Sequence, residues 1–188
     1  MKIAIFVEDK YYEPYRILAR KIMGKQTGLE IRWKKRHDLL KYEKIYNYIS
    51  CDILQEHPDI SKIIVCVDSE CTPETETEKE IKKVENLLRK RIPVSISSVV
   101  VNHALEGWLL ADTETIQSYM GSMAEVNIPS SATHECRPKE VMKDIFRKAN
   151  REFLPTRDNL YIAEKIDLQK VAKRNQSFAR FQEQVKDP

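Results

Sequence analysis

Two apolar runs, Ile3-Ala4-Ile5-Phe6-Val7 and Ile63-Ile64-Val65-Cys66-Val67, each end directly in acids. Glu8-Asp9 follows the first and Asp68-Ser69-Glu70 the second, and a third acid, Glu106, sits among apolar neighbours in Asn102-His103-Ala104-Leu105-Glu106-Gly107-Trp108. Carboxylates suit a hard divalent cation such as Mg²⁺, which takes one or two of them together with waters and substrate phosphates. Carboxylates held close repel one another until a cation arrives. The chemistry this spacing suggests is metal-assisted attack on a phosphate. Asp68 and Glu70 would be metal ligands, Glu8 a third ligand or the base that activates water, and Glu106 a supporting acid or second-metal ligand. If strand geometry persists past Asp68, residues two apart face the same way and Asp68 and Glu70 address one ion while Ser69 turns away. The competing reading is structural, with Asp68 and Glu70 opening a turn and Glu8 complementing the dipole of the helix that follows.

Such acids meet only if parallel strands carry them to one edge. Residues 2–7 read as a buried strand, and the spacing of Tyr11, Tyr15, Leu18, Ala19 and Ile22 predicts a helix over 11–23 that stops near Gly24. Alternation over 29–36 predicts a half-exposed strand, 41–55 a helix and 60–67 a second buried strand. Thr72-Pro73-Glu74 has the form of a helix start, threonine as N-cap and proline at the first helical position, with the helix running to Arg91. A strand over 94–101 and an amphipathic segment over 104–111 follow. Strands alternating with helices imply βαβ units and a mainly parallel, Rossmann-like α/β sheet flanked by helices, whose carboxyl edge is the ligand crevice. Residues 121–138, with Pro129-Ser130-Ser131, read as a loop. Helices are expected over 138–150 and 159–185, the second broken near Asp167 or Asn175. The expected organisation is one domain, an α/β core over 1–120 carrying a loop and C-terminal helical extension over 121–188.

Composition removes several alternatives. The chain has 188 residues and four glycines, and no GxGxxG or P-loop pattern can be assembled from them, so dinucleotide and Walker sites are excluded. The four cysteines form no CxxC pair, no GxSxG occurs, and His134-Glu135-Cys136 with Cys51 or Cys71 lacks the spacing of a structural zinc site. With no cationic leader and no run of about 20 apolar residues, the chain is expected to be soluble, cytoplasmic and reduced, with no membrane partner.

Net charge is +3, but basic residues cluster in Arg32-Trp33-Lys34-Lys35-Arg36 and between Arg137 and Lys186. Arg32, Lys34, Arg36, Arg174 and Arg180 are candidate contacts to a phosphate backbone. A solvated, lysine-rich surface accounts for the same charges. His103 has three readings: proton shuttle, phosphate donor, or a satisfied histidine at a strand end. Trp108 and its leucines read as core, as do Phe178 and Phe181, three apart, which would dock the tail.

These pieces together resemble a family of prokaryotic proteins known as domain of unknown function 4276, which looks like a divergent branch of the TOPRIM (topoisomerase–primase) fold. The resemblance rests on Glu8, on Asp68-Ser69-Glu70, on Glu106-Gly107-Trp108-Leu109-Leu110-Ala111-Asp112, and on Tyr161-Ile162-Ala163-Glu164-Lys165-Ile166-Asp167-Leu168 with Arg174-Asn175-Gln176-Ser177-Phe178-Ala179-Arg180-Phe181. It implies a TOPRIM-like sheet, a Mg²⁺ site (Mn²⁺ as a substitute) and phosphodiester chemistry on DNA or RNA. Glu8 would be the general acid or base, and Asp68 and Glu70 the metal ligands. The sequence departs from TOPRIM domains at Glu70, where they carry aspartate, and at Asp9, where they usually carry glycine. The alternative is a non-catalytic TOPRIM-like module that binds nucleic acid or a protein within a defence or repair assembly.

Overall fold

The computed structural model describes residues 2–24, 28–121, 128 and 135–186. Four strands, β1 (Lys2–Val7), β2 (Gly28–Trp33), β3 (Ile60–Asp68) and β4 (Ser95–Val101), form one sheet in the order β2-β1-β3-β4, every pair parallel. The α/β class and parallel sheet expected from the sequence are therefore present. The chain passes from β1 outward to β2, then returns across β1 to β3, so the direction of winding reverses between β1 and β3. In open α/β sheets the crevice at that reversal, beyond the carboxyl ends of the strands, is where ligands bind.

Burial on both faces follows from the twofold period of the strands. Ile3, Ile5, Val7, Ile64, Cys66, Val99 and Val101 face one layer, while Ala4, Phe6, Ile63, Val65, Val67, Ile96 and Val100 face the other. Helix α1 (Glu13–Met23) covers the first face. The second is covered by α2 (Arg36–Leu39), α3 (Tyr42–Asn47), a π-helical stretch Tyr48–Ile53 that leads into α4 (Leu54–Glu56), and α5 (Glu74–Arg89). The single helix expected over 41–55 is thus present as one continuous helical run over 42–56, π-helical in its middle. Strand β2 ends at Trp33, and α1 begins two residues later than expected because the Tyr11 N–H donates to Asp9 Oδ1 in the preceding loop. Helix α5 begins at Glu74, with Pro73 at its N-cap in place of Thr72 and no side-chain cap.

The remaining helices are α6 (Leu105–Leu109), α7 (Thr113–Met120), α8 (Pro138–Lys148), α9 (Pro155–Lys165), α10 (Leu168–Arg174) and α11 (Gln176–Lys186). The segment predicted to be amphipathic is buried all round: Leu105, Glu106, Gly107, Trp108 and Leu109 are each within the core. What covers it is the C-terminal extension. Trp108 lies 5.2 Å from Phe178 and 4.9 Å from Phe181, centroid to centroid, and its Nε1 donates to Ser177 Oγ at 2.7 Å. The long C-terminal helix breaks at both expected places. Asp167 caps α10 by accepting the Gln169 and Lys170 N–H groups, and Asn175 Oδ1 accepts the Phe178 N–H at 3.1 Å. The loop expected over 121–138, including Pro129-Ser130-Ser131, falls mostly outside the described residues.

One expectation is corrected here. Cys71 and Cys136 are joined by a disulfide, so the chain is not fully reduced. The two are 65 apart in sequence and belong to no recognisable spacing, so only the packing of α8 against the core brings them together. Cys51 and Cys66 are free thiols, and burial pushes the Cys66 thiol up. Among the described residues no helix is long and apolar enough to cross a membrane.

Candidate functional site

Glu8 leaves the end of β1 and turns toward β3. Its Oε1 accepts the Asp68 N–H at 3.2 Å and lies 3.6 Å from Arg36 Nη1. Only 10 % of the Glu8 side chain is exposed, and burial raises its carboxyl from 4.5 to about 7. Arg36 and the Asp68 N–H pull that value down, and the charge of Glu70 pushes it up.

Asp68, the last residue of β3, stands at the centre of the group. The Tyr15 hydroxyl, on α1, donates to its Oδ1 at 3.4 Å, and Arg36 Nη1 donates to its carbonyl oxygen. Burial raises the Asp68 carboxyl well above the usual range, and the nearby charges of Glu8, Glu106, Asp9 and Glu70 raise it further. Asp9 is raised too, chiefly by burial, against the opposing pull of its bond to the Tyr11 N–H and of Lys139. Five acids therefore share one field at the sheet edge.

Strand geometry does not persist past Asp68. Ser69, expected to face away, is buried: its N–H donates to the Val101 carbonyl at 2.9 Å and its Oγ accepts the His103 N–H at 2.8 Å. Glu70 then takes a left-handed conformation, φ 51°, opposite His103 at φ 63°. The two brace each other, the Glu70 N–H donating to the His103 carbonyl at 3.0 Å and His103 Nδ1 contacting the Glu70 carbonyl. Non-glycine residues in this region are uncommon and are found where surrounding structure holds them. The two-residue argument that paired Glu70 with Asp68 fails at this turn. Glu70 reaches the group from an exposed rim instead, through its charge on Glu8 and Asp68.

Glu106 is 5 % exposed and accepts a hydrogen bond at 3.0 Å from Asn159 Nδ2, on α9. The motif that contains it is divided in labour. Trp108 fixes the tail, while Asp112 accepts from the N–H groups of Thr115 and Asp167 and from the Thr115 hydroxyl, contacts that hold its carboxyl below the usual range against the effect of burial.

The five candidate phosphate-binding cations are dispersed. Arg36 enters the acid group and also donates to Thr77 Oγ1 at 3.3 Å. Arg32 pairs with Glu30 and Glu56, and Lys34 Nζ sits 3.3 Å above the Tyr48 ring. Arg174 donates to the Ala111 carbonyl at 2.9 Å, and Arg180 pairs with Glu74 at 2.8 Å. No three His, Cys, Asp or Glu side chains gather into a metal-holding group among the described residues. In the zinc reading, Cys71 and Cys136 do meet, but as a disulfide, and His134 lies outside the described residues.

Tyr15, Ser69 and Asn159 were not singled out from sequence. Tyr15 belongs to the apolar stripe of α1, Ser69 was assigned to the outward face, and Asn159 marked only a helix start. Their partners lie 53, 34 and 53 residues away, so no local spacing announces them.

The fold and the group at its edge define a parallel α/β protein with a partly buried group of carboxylates at the winding reversal. Over residues 9–186 the chain matches the family model described as Domain of unknown function (DUF4276), and it belongs to that family. No curated protein and no solved structure matches it.

Proposed function

We propose that this protein is a Mg²⁺-dependent phosphodiesterase of nucleic acid, a nuclease built on a TOPRIM-like sheet. The observation that carries the reading is the meeting of Glu8 and Asp68 at the β1–β3 reversal with the Arg36 guanidinium against both. Support for the TOPRIM likeness lies in the parallel sheet and in the chain order of the acids.

Whether these residues fit a hard cation is tested by the donor set. It is all oxygen, Glu106 is buried and Glu8 and Asp68 partly so with little counter-charge, and Asn159, which bonds Glu106, carries an orphaned amide oxygen. Mg²⁺ uses one or two carboxylates and fills its remaining positions with waters and phosphate. A three-ligand cage is not required. Asp68 would hold the ion, with Glu70 approaching from the rim; when bound, the ion supplies Lewis-acid polarisation of the phosphate.

The chain's own residues divide the other tasks. Glu8, with a carboxyl near 7, is poised to take a proton from attacking water at neutral pH. Arg36, always charged and planar, lies against Glu8 and Asp68 and would exchange part of its bonding to Thr77 and the Asp68 carbonyl for phosphate oxygens when substrate binds. Glu106 is the supporting acid, oriented by Asn159. Arg32, Lys34, Arg174 and Arg180 would contribute at most long-range attraction, since each is engaged within the protein.

The test is cleavage of single- and double-stranded DNA and RNA in Mg²⁺ or Mn²⁺. Cleavage abolished by EDTA and by Asp68→Asn supports the reading. Absence of cleavage on all substrates, with nucleic acid or protein binding retained, moves the protein to the non-catalytic class.

A further inference from the structure

Asn159 sits in the first turns of α9, 2 % exposed, and only one half of its amide is satisfied. Nδ2 donates to Glu106 Oε1 at 3.0 Å, while Oδ1 has no hydrogen-bond partner among the described residues. A buried acceptor left unpaired costs the full desolvation of that atom, so such an atom calls for a partner, a water or an ion among them. Turning the amide over does not help. It would set an oxygen against the Glu106 carboxylate and lose the one bond that exists.

The neighbourhood decides what would satisfy that oxygen. Glu106 bears on Asp68, and Asp68 touches Tyr15 and Glu8. Glu8, Asp68 and Glu106 present acceptors, and the donors that reach them are engaged: Arg36 with Glu8, the Asp68 carbonyl and Thr77, the Tyr15 hydroxyl with Asp68, and Asn159 Nδ2 with Glu106. An acceptor set of carboxylates plus a neutral amide oxygen is what a hard divalent cation selects, and asparagine oxygens ligate such ions beside aspartate and glutamate.

We propose that Asn159 Oδ1 is itself a ligand of the divalent cation, joining Asp68 and Glu106. The inference rests on the cation reading above and deepens it. It makes α9 part of the site, so the C-terminal extension completes the centre as well as covering Trp108. It also gives Asn159 two separable roles, one for each end of its amide.

Those roles are separated by two variants, with Mn²⁺ alone as the probe, followed by electron paramagnetic resonance and by calorimetry. Asn159→Leu removes oxygen and donor together, and its Mn²⁺ affinity is expected to fall by about tenfold or more. Its melting temperature without metal is expected to fall by a few degrees, because the buried Glu106 carboxylate loses its donor. Asn159→Asp keeps an oxygen but replaces the donor to Glu106, and is expected to bind Mn²⁺ at least as tightly as wild type.

Wild-type affinity in Asn159→Leu overturns the proposal, because the oxygen then meets only water. Equal loss in both variants also overturns it and leaves Asn159 as a positioning residue for Glu106. Should Asn159→Leu not fold, Asn159→Asp decides alone: retained or tighter binding supports ligation, and a tenfold loss ends it. A wild-type protein that takes up no Mn²⁺ or Mg²⁺ removes the cation reading itself, an outcome distinct from failure at Asn159 alone.

Discussion

The Glu8 carboxylate at the end of β1 accepts the backbone N–H of Asp68 at the end of β3, 3.2 Å away. The bond joins the two strands between which the sheet reverses its winding, and it holds an acid in a site where burial keeps that acid's carboxyl near 7. Protonation of Glu8 therefore changes within the physiological range, and both stability and activity should report it.

Replacing Glu8 by glutamine removes the ionisation while keeping shape. Loss of a general base typically costs about 10²–10⁴ in rate, and the same substitution should raise the melting temperature of the metal-free protein at pH 8, where wild type must bury the charge. Rate and melting temperature measured on one preparation check both. Full activity in Glu8→Gln removes the base assignment, and a lower melting temperature at pH 8 contradicts the burial argument.

The sign of the pH dependence follows from the direction of the shift. Between 4.5 and about 7 the native protein keeps a proton on Glu8 that the unfolded chain has released. The stabilisation from Glu8 is thus complete below 4.5 and is lost as pH rises through 7, by roughly 3 kcal/mol at most. Asp68 is raised for similar reasons and acts in the same direction. Asp112 and Asp158 are lowered, so their contribution is present above the usual aspartate range and fails only in acid. A cation that binds the ionised cluster reverses the loss. Millimolar Mg²⁺ should raise the melting temperature by several degrees at pH 8 and by little at pH 5.5, each kcal/mol being worth about 2–4 °C at this chain length. Equal shifts at the two pH values would mean that the ion binds elsewhere.

How far the sequence discloses all this depends on the range of the interaction. The buried strands and their terminal acids are legible because an apolar run ending in a charge is a local pattern, and the strand order then brings Glu8 to Asp68. The breaks at Asp167 and Asn175 are legible for the same reason, since both are capping residues within a few positions of what they cap. Arg36 was visible only as one member of a basic block; its place against Glu8 depends on β2 ending at Trp33 and the chain turning inward. Asn159 was read as a helix start although α9 begins at Pro155, and Tyr15 as part of an apolar stripe, and neither signal discloses a partner. Glu70 misled because the argument assumed two further residues of strand, and the left-handed turn at Glu70 is set by its brace with His103.

The tail supports the site from behind, and Ser177 is its fastening. Its Oγ accepts from both Trp108 Nε1 and the Asn102 N–H, at 2.7 and 3.0 Å. Ser177→Ala leaves the buried Trp108 donor and the half-buried Asn102 N–H unpaired and should cost about 1–3 kcal/mol in urea unfolding, at the usual 1–3 kcal/mol for a buried orphan. A change below about 0.5 kcal/mol would show that the tail is held by its other contacts, Phe178, Phe181, Arg174 and Arg180 among them.

The Cys71–Cys136 disulfide ties the residue after Glu70 to the start of α8 across a separation of 65 residues. Closing a loop of that length removes unfolded-state entropy worth about 4 kcal/mol in the chain-entropy account. Non-reducing electrophoresis and mass spectrometry should find the bond in protein purified without reductant. Dithiothreitol should then lower the melting temperature of wild type while leaving Cys71→Ser unaffected. Equal sensitivity of the two proteins would show that the effect does not come from this bond.

Arg36 offers the most direct link between structure and rate, because its guanidinium restrains the very carboxyl assigned as base. With Nη1 3.6 Å from Glu8 Oε1, it lowers a carboxyl that burial raises. Taking the cation away should therefore move the acidic limb of the kcat/KM–pH profile upward, by about one unit, since an opposite charge at this distance shifts a carboxyl by 1–3 units. Arg36→Met should show that shift together with a raised KM for the nucleic acid. Arg36→Lys, which keeps the charge and loses the planar fork, should restore the limb more fully than it restores KM. The variants thus separate electrostatic control of Glu8 from contact with phosphate. If the limb stays in place in Arg36→Met, Glu8 is not the group whose ionisation governs turnover.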